Sequence, residues 1–139
     1  MKKIFCLLLT LVTLFALSVP AFAAQPETAV PYYTNATRAT ATLSISNSGT
    51  ATIGLLCIGK SGTRSIVATY YLEKKNGSSW SRVDIDEPND QWVDSSSSST
   101  FNKTRTIQLQ STGEYRLSVN YVVTISSSET IPLTASDSY

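Results

Sequence analysis

The residues best suited to chemistry crowd into one short stretch. Asp84-Ile85-Asp86-Glu87-Pro88-Asn89-Asp90 offers clustered oxygen donors, the ligand type that calcium takes. Asp84, Asp86, Glu87 and Asp90 are the candidate calcium ligands, although their spacing matches no EF-hand loop and a solvated turn explains them equally. No other cofactor is suggested. Glu73 and Glu114 add two further carboxylates, but nothing in the sequence sets a pair across a cleft as a glycosidase requires. The chain has no histidine, which excludes a His-based triad and the usual His/Cys zinc site. No Gly-x-Ser-x-Gly elbow occurs among its many serines. Catalysis is not expected.

Two further residue classes could act. Cys57 is the one cysteine beyond the N-terminal apolar run, and its inward phase on a strand points to a buried, inert thiol. Aromatic side chains are more informative. Tyr70, Tyr115 and Tyr121 fall on inward phases, whereas Tyr32, Tyr33, Tyr71, Trp92 and Tyr139 have no obvious inward place and Trp80 reads as half-buried. Exposed rings can stack on sugars or anchor a protein partner, and they can equally cover the ends of a fold. Trp92, Trp80, Tyr71 and Tyr33 are therefore the candidate ligand-binding residues. Asn35, Asn76 and Asn102 each begin a glycosylation sequon, which a bacterial-style export signal makes coincidental.

That signal occupies residues 1–24. Lys2 and Lys3 form a basic head, an apolar run follows from Ile4 to Leu17, and Pro20 precedes the small-residue site Ala21-Phe22-Ala23-Ala24. Cleavage there leaves 115 of the 139 residues, enough for one domain. It also leaves nine basic against ten acidic residues, a balance with no nucleic-acid footprint and no polybasic membrane patch. No second apolar run is long enough to span a bilayer. The product is expected to be secreted, extracellular and not membrane-embedded after signal cleavage.

Residues 25–37 read as an extended lead-in, kept out of a sheet interior by Pro26 and Pro31. A single domain is expected over 38–139. Ser and Thr make up 36 of the 115 mature residues, yet β-branched and aromatic residues recur with period two, as in strands with one wet face. Strands are expected at about 38–47, 50–59, 64–75, 79–85, 103–109, 114–126 and 129–135, and residues 86–100 read as loop around a short Trp92-Val93 island. Asn76-Gly77 marks a hairpin turn, and the phase slip in the fourth strand suggests a bulge or half-buried edge. Seven antiparallel strands without a helix predict an all-β sandwich; an open or barrel arrangement is the alternative.

One spacing refines this expectation. Cys57, then Tyr70, then Gly113-Glu114-Tyr115-Arg116-Leu117 follow the order of cysteine, core aromatic and Gly-x-Tyr-x-Cys in immunoglobulin domains. Leu117 stands where the second cysteine would be, so the predicted immunoglobulin-like sandwich lacks an intradomain disulfide. Tyr115 is expected to form a tyrosine corner, its hydroxyl bonded to backbone.

The segments Ala41-Thr-Leu-Ser-Ile45, Gly49-Thr-Ala-Thr52, Cys57-Ile-Gly-Lys-Ser-Gly62, Leu72-Glu-Lys-Lys-Asn-Gly-Ser-Ser-Trp80, Gly113-Glu-Tyr-Arg116 and Ser128-Glu-Thr-Ile131 cover most of residues 32–139. In these the chain resembles small secreted, uncharacterised immunoglobulin-like β-sandwich proteins of Gram-positive, clostridia-like bacteria. The resemblance implies one sandwich, alone or attached to larger surface proteins, and carries no activity. The acidic 84–90 stretch and the serine run depart from it.

The expected function is that of a non-catalytic binding module for a glycan or protein at the cell surface. A structural or self-assembling extracellular protein, and an inhibitor of an extracellular enzyme presenting loop 86–100, are the alternatives.

Overall fold

The computed structural model describes residues 31–139; the expected signal segment 1–24 and the first part of the expected lead-in lie outside the described residues. Alternating side chains build eight strands: β1 (Ala36–Ile45), β2 (Thr50–Gly59), β3 (Ser65–Asn76), β4 (Ser79–Arg82), β5 (Trp92–Ser96), β6 (Thr100–Gln108), β7 (Glu114–Thr124) and β8 (Ser128–Ser138). They form two antiparallel sheets, β1-β2-β6 and β4-β3-β7-β8, with β5 also paired to β3. This is the expected all-β, immunoglobulin-like sandwich: β1, β2 and β6 face β3, β7 and β8 as the two sheets of that fold do.

The period-two pattern explains the core. Ile53, Leu55 and Cys57 of β2 meet Ile66, Ala68, Tyr70 and Leu72 of β3 and Tyr115, Leu117, Val119, Tyr121 and Val123 of β7, all buried. Cys57 is a free thiol, and Leu117 fills the position of a bridging cysteine. The tyrosine corner is present, the Tyr115 hydroxyl donating to the Ser111 carbonyl at 2.5 Å. Tyr121, deeper on β7, donates to the Thr40 carbonyl at 2.9 Å and meets Phe101 edge-on at 6.0 Å. These two buried tyrosines thus satisfy their hydroxyls against backbone, as burial in an apolar interior demands.

Four sequence expectations need correction. An eighth strand, Trp92–Ser96, lies within the stretch read as loop, because β3 is long enough to pair β4 with its end and β5 with its beginning. The fourth strand stops at Arg82, so its phase slip marks a strand end. The hairpin after β3 pairs Asn76 with Ser79, which makes Gly77 and Ser78 the central residues. Gly77 alone takes a positive φ (63°) there, as a II′ turn requires, and Asn76 belongs to the strand. Finally, β1 begins at Ala36 rather than Arg38. The Glu129 carboxylate accepts from the Thr34 amide at 2.7 Å and the Asn35 amide at 2.6 Å, and the buried Asn35 amide donates to the Val123 and Ser127 carbonyls. Part of the lead-in is therefore fastened to the β7–β8 hairpin.

Candidate binding site

The sandwich has two long flanks. One is filled where β1 runs beside β8, with the Ile45 amide donating to the Asp137 carboxylate at 2.7 Å. On the other, β6 lies beside β5, and its end lies across a gap from β4 and the residues that follow it. Along β5 this flank is closed. Asp94 takes ion pairs from Lys103 at 3.1 Å and Arg105 at 3.2 Å, and accepts from the Tyr70 hydroxyl at 2.6 Å. Trp92 sits beneath this cluster, 5.3 Å from Tyr70 between ring centres, with the Arg105 guanidinium 5.1 Å above its ring. Burial alone would raise the Asp94 carboxyl; hydrogen bonds from Tyr70, Lys103 and Arg105 outweigh it and hold the pKa below the usual range. Burial, with the Asp94 carboxylate beside it, pushes the Tyr70 phenol up to about 12.

Along β4 the same flank opens. A cleft of about 480 Å³ lies between the end of β3–β4, residues 83–86, the end of β6 and the β6–β7 loop. Val83, Ile85, Ile107 and Tyr115 supply its apolar lining, while Lys74, Arg82, Asp84, Asp86, Gln108, Gln110 and Ser111 supply polar groups. Such a mixture of apolar wall and few convergent polar groups is the usual anatomy of a recognition site. The opening has a backbone cause. The chain leaves the sheet after Arg82 and returns only at Trp92, and the excursion places Asp86 (φ 56°), Asn89 (φ 58°) and Asp90 (φ 49°) in the left-handed region. Asp and Asn tolerate that region better than other non-glycine residues, which accounts for Asp86, Asn89 and Asp90 in the stretch. Arg82 clamps the excursion, its Nη1 donating to the Asn89 carbonyl at 2.6 Å, and the Asp84 carboxylate accepts from the Asp86 amide at 3.1 Å.

The candidate residues are thereby redistributed. Asp84 and Asp86 line the cleft, whereas Glu87 and Asn89 border a second, smaller hollow of about 260 Å³. Among the described residues no group of three or more His, Cys, Asp or Glu side chains is placed to hold a metal ion, so the proposed set Asp84, Asp86, Glu87 and Asp90 does not converge. Trp92 was expected to lack an inward place; it is only 6% exposed and belongs to the core. Tyr33 packs partly buried against that core as well, while Tyr32 is 90% exposed.

Trp80 and Tyr71 do share a surface, the outer face of the five-stranded sheet, but cations cover their rings. Arg82 lies 4.0 Å from the centre of the Tyr71 ring, and Arg116 and Lys75 lie 4.4 and 5.8 Å from that of Trp80. Glu73 pairs with Arg116 at 2.8 Å and Glu114 with Lys75 at 2.6 Å, so neither carboxylate faces the other across a cleft. Cys57 is buried, and desolvation, then the nearby Glu129 charge, push its thiol up to about 11, far from a reactive thiolate.

The cleft itself went unread in the sequence. Its walls come from residues 74–86 and 107–115, far apart in the chain and brought together only where the end of β6 lies across from β4 and the segment after it. The one available signal was the fourth strand losing phase just before a run of Asp and Asn.

No family model, no curated protein and no solved structure matches this chain.

Proposed function

We propose that the chain is a secreted, non-catalytic binding module that recognises a protein partner at a cell surface through the cleft between β4 and β6. The observation that carries this reading is the cleft itself, with aliphatic side chains on its wall and charged and amide groups at its rim. The signal pattern at residues 1–24 supports export. The lack of histidine supports a role without acid–base catalysis. Of the two expected partner classes, a protein is favoured over a glycan. The rings that would stack on a sugar, Tyr71 and Trp80, already carry guanidinium groups, and Trp92 is in the core.

The test is a screen of the protein recovered from the medium after expression of the full chain. Arrays of surface proteins and of glycans are probed with the wild type and with Gln110→Trp, which fills the cleft from an exposed position. Saturable binding to a protein, weakened tenfold or more by Gln110→Trp, is the expected result. Binding to glycans alone, or protein binding indifferent to Gln110→Trp, would overturn the reading.

A further inference from the structure

We infer that the ligand of the cleft is an extended polypeptide segment that adds itself as a strand to the free edge of β6; this rests on the cleft being the binding site. The argument starts from hydrogen-bond phase. Leu109 N–H donates to the Gly49 carbonyl and Gly59 N–H to the Ser99 carbonyl, at the two ends of the β2–β6 ladder. In an antiparallel ladder, bonded and non-bonded residues alternate, so the odd-numbered residues of β6 turn their backbone groups to β2 and the even-numbered ones turn theirs outward. Asn102, Thr104, Thr106 and Gln108 therefore present N–H and C=O groups to the flank, and among the described residues β6 pairs with β2 alone.

The other edges are blunted. On β8, Tyr139 and Gly113 exchange both bonds, so Pro132 falls in the outward phase, where its missing N–H costs the sheet nothing. On β1, the outward Ile45 amide is taken by Asp137. β4 and β5 are only four and five residues long. On β6 itself, Thr100 is capped by the serine run: Ser98 Oγ accepts from its amide, and Ser96 and Ser98 donate to its carbonyl. Among the described residues no backbone or side-chain group caps Thr104 or Thr106 in this way. β1 and β8 are thus each interrupted at one outward position, and β4 and β5 are short, whereas β6 runs uninterrupted from Asn102 to Gln108, which makes its edge a pairing surface.

The occupant's chemistry follows. A row of alternating donors and acceptors repeating about every 7 Å is matched by another extended backbone and by no sugar chain. The inward residue between Thr106 and Gln108 is Ile107, which shares the cleft wall with Val83 and Ile85, so the added strand should point an aliphatic side chain inward there. A second copy of this chain fits poorly at full overlap, where two β6 strands paired antiparallel about Thr104 would set Lys103 opposite Arg105, a like-charge contact that destabilises a ladder. The inferred occupant is a segment of another protein.

The probe is a displayed library of random twelve-residue peptides, selected on the full-length secreted protein. Selected peptides are expected to alternate aliphatic and polar residues. N-methylation of alternate amides in one phase should abolish binding, and in the other phase leave it within a few-fold. Amide exchange at Thr106 and Gln108 should slow at least tenfold when the peptide binds. Thr106→Pro, which removes only an outward N–H, should weaken binding tenfold or more; the N-methylated peptides give the same information should that variant fail to fold. Failure to select any peptide, indifference to both N-methylation phases, or unchanged exchange at Thr106 and Gln108 would each overturn strand addition. In those cases continued sensitivity of a globular partner to Gln110→Trp would leave the cleft as the site, and insensitivity would overturn both. A concentration-dependent dimer that protects Thr106 would replace the foreign peptide by a second copy and overturn the inference.

Discussion

The hydroxyl of Tyr115 donates to the carbonyl of Ser111, four residues upstream, at 2.5 Å, and both residues also wall the cleft. The same contact that marks the fold as immunoglobulin-like thus sets the position of the β6–β7 loop against the end of β3. Tyr115→Phe removes the hydrogen bond and keeps the ring. It should lower unfolding stability by about 1 kcal/mol, the usual net worth of one such bond. Urea denaturation of the two proteins measures this, and an unchanged midpoint would detach the corner from stability.

Asp94 closes the other half of the flank, and its removal should cost more. Asp94→Ala leaves Lys103, Arg105 and the Tyr70 hydroxyl without their shared acceptor. A loss of about 2 kcal/mol is expected, since hydrogen bonds to charged groups contribute about that much. The pH dependence has a defined sign. The folded-state pKa of Asp94 lies below its unfolded value, so its contribution is fully present above about pH 4 and is lost as pH falls through the folded value. In Asp94→Ala the acid-side decline in stability should be shallower than in the wild type. Parallel pH profiles would show that Asp94 contributes nothing through titration.

Cys57 should behave as a core side chain. With its thiol pushed up to about 11 and its surface buried, it should not react with a thiol reagent at pH 8 in the folded protein. One equivalent should react in denaturant once residues 1–24, with Cys6, are removed. Rapid labelling of the folded protein would show that β2 opens.

The left-handed residues of the excursion make a conformational prediction. Asp86→Val places a β-branched side chain at φ 56° and should destabilise the protein by about 1–2 kcal/mol, whereas Asp86→Gly should be close to neutral. Thermal unfolding compares them. Equal effects would mean that the excursion relaxes freely.

Much of this molecule was legible in its sequence, for physical reasons that also mark where legibility ends. Strands with one buried face announce themselves by alternation, so Cys57 of β2, Tyr70 of β3 and Tyr115 and Tyr121 of β7 were placed inward correctly, and Gly113-Glu114-Tyr115 gave away the corner. β5 did not, because its outward positions are serine and valine and its inward Asp94 is a charge; only the facing Lys103 and Arg105 make that burial acceptable. Trp92 looked unplaced for the same reason. The serine run read as bare loop, yet Ser96 and Ser98 cap the end of β6. Calcium seemed possible because Asp and Asn also suit left-handed backbone, and composition cannot tell the two roles apart. The cleft needed topology, since period two says which face of a strand is buried and nothing about which edges meet.

Amide exchange along β6 in the unliganded protein tests the central claim most directly. Arg105, Ile107 and Leu109 should exchange slowly, their amides held by β2, while Thr104, Thr106 and Gln108 should exchange at least a hundredfold faster, their amides facing an edge that none of the described residues pairs. Uniformly slow exchange through this segment would mean that the edge is already covered, and the cleft could not receive a strand.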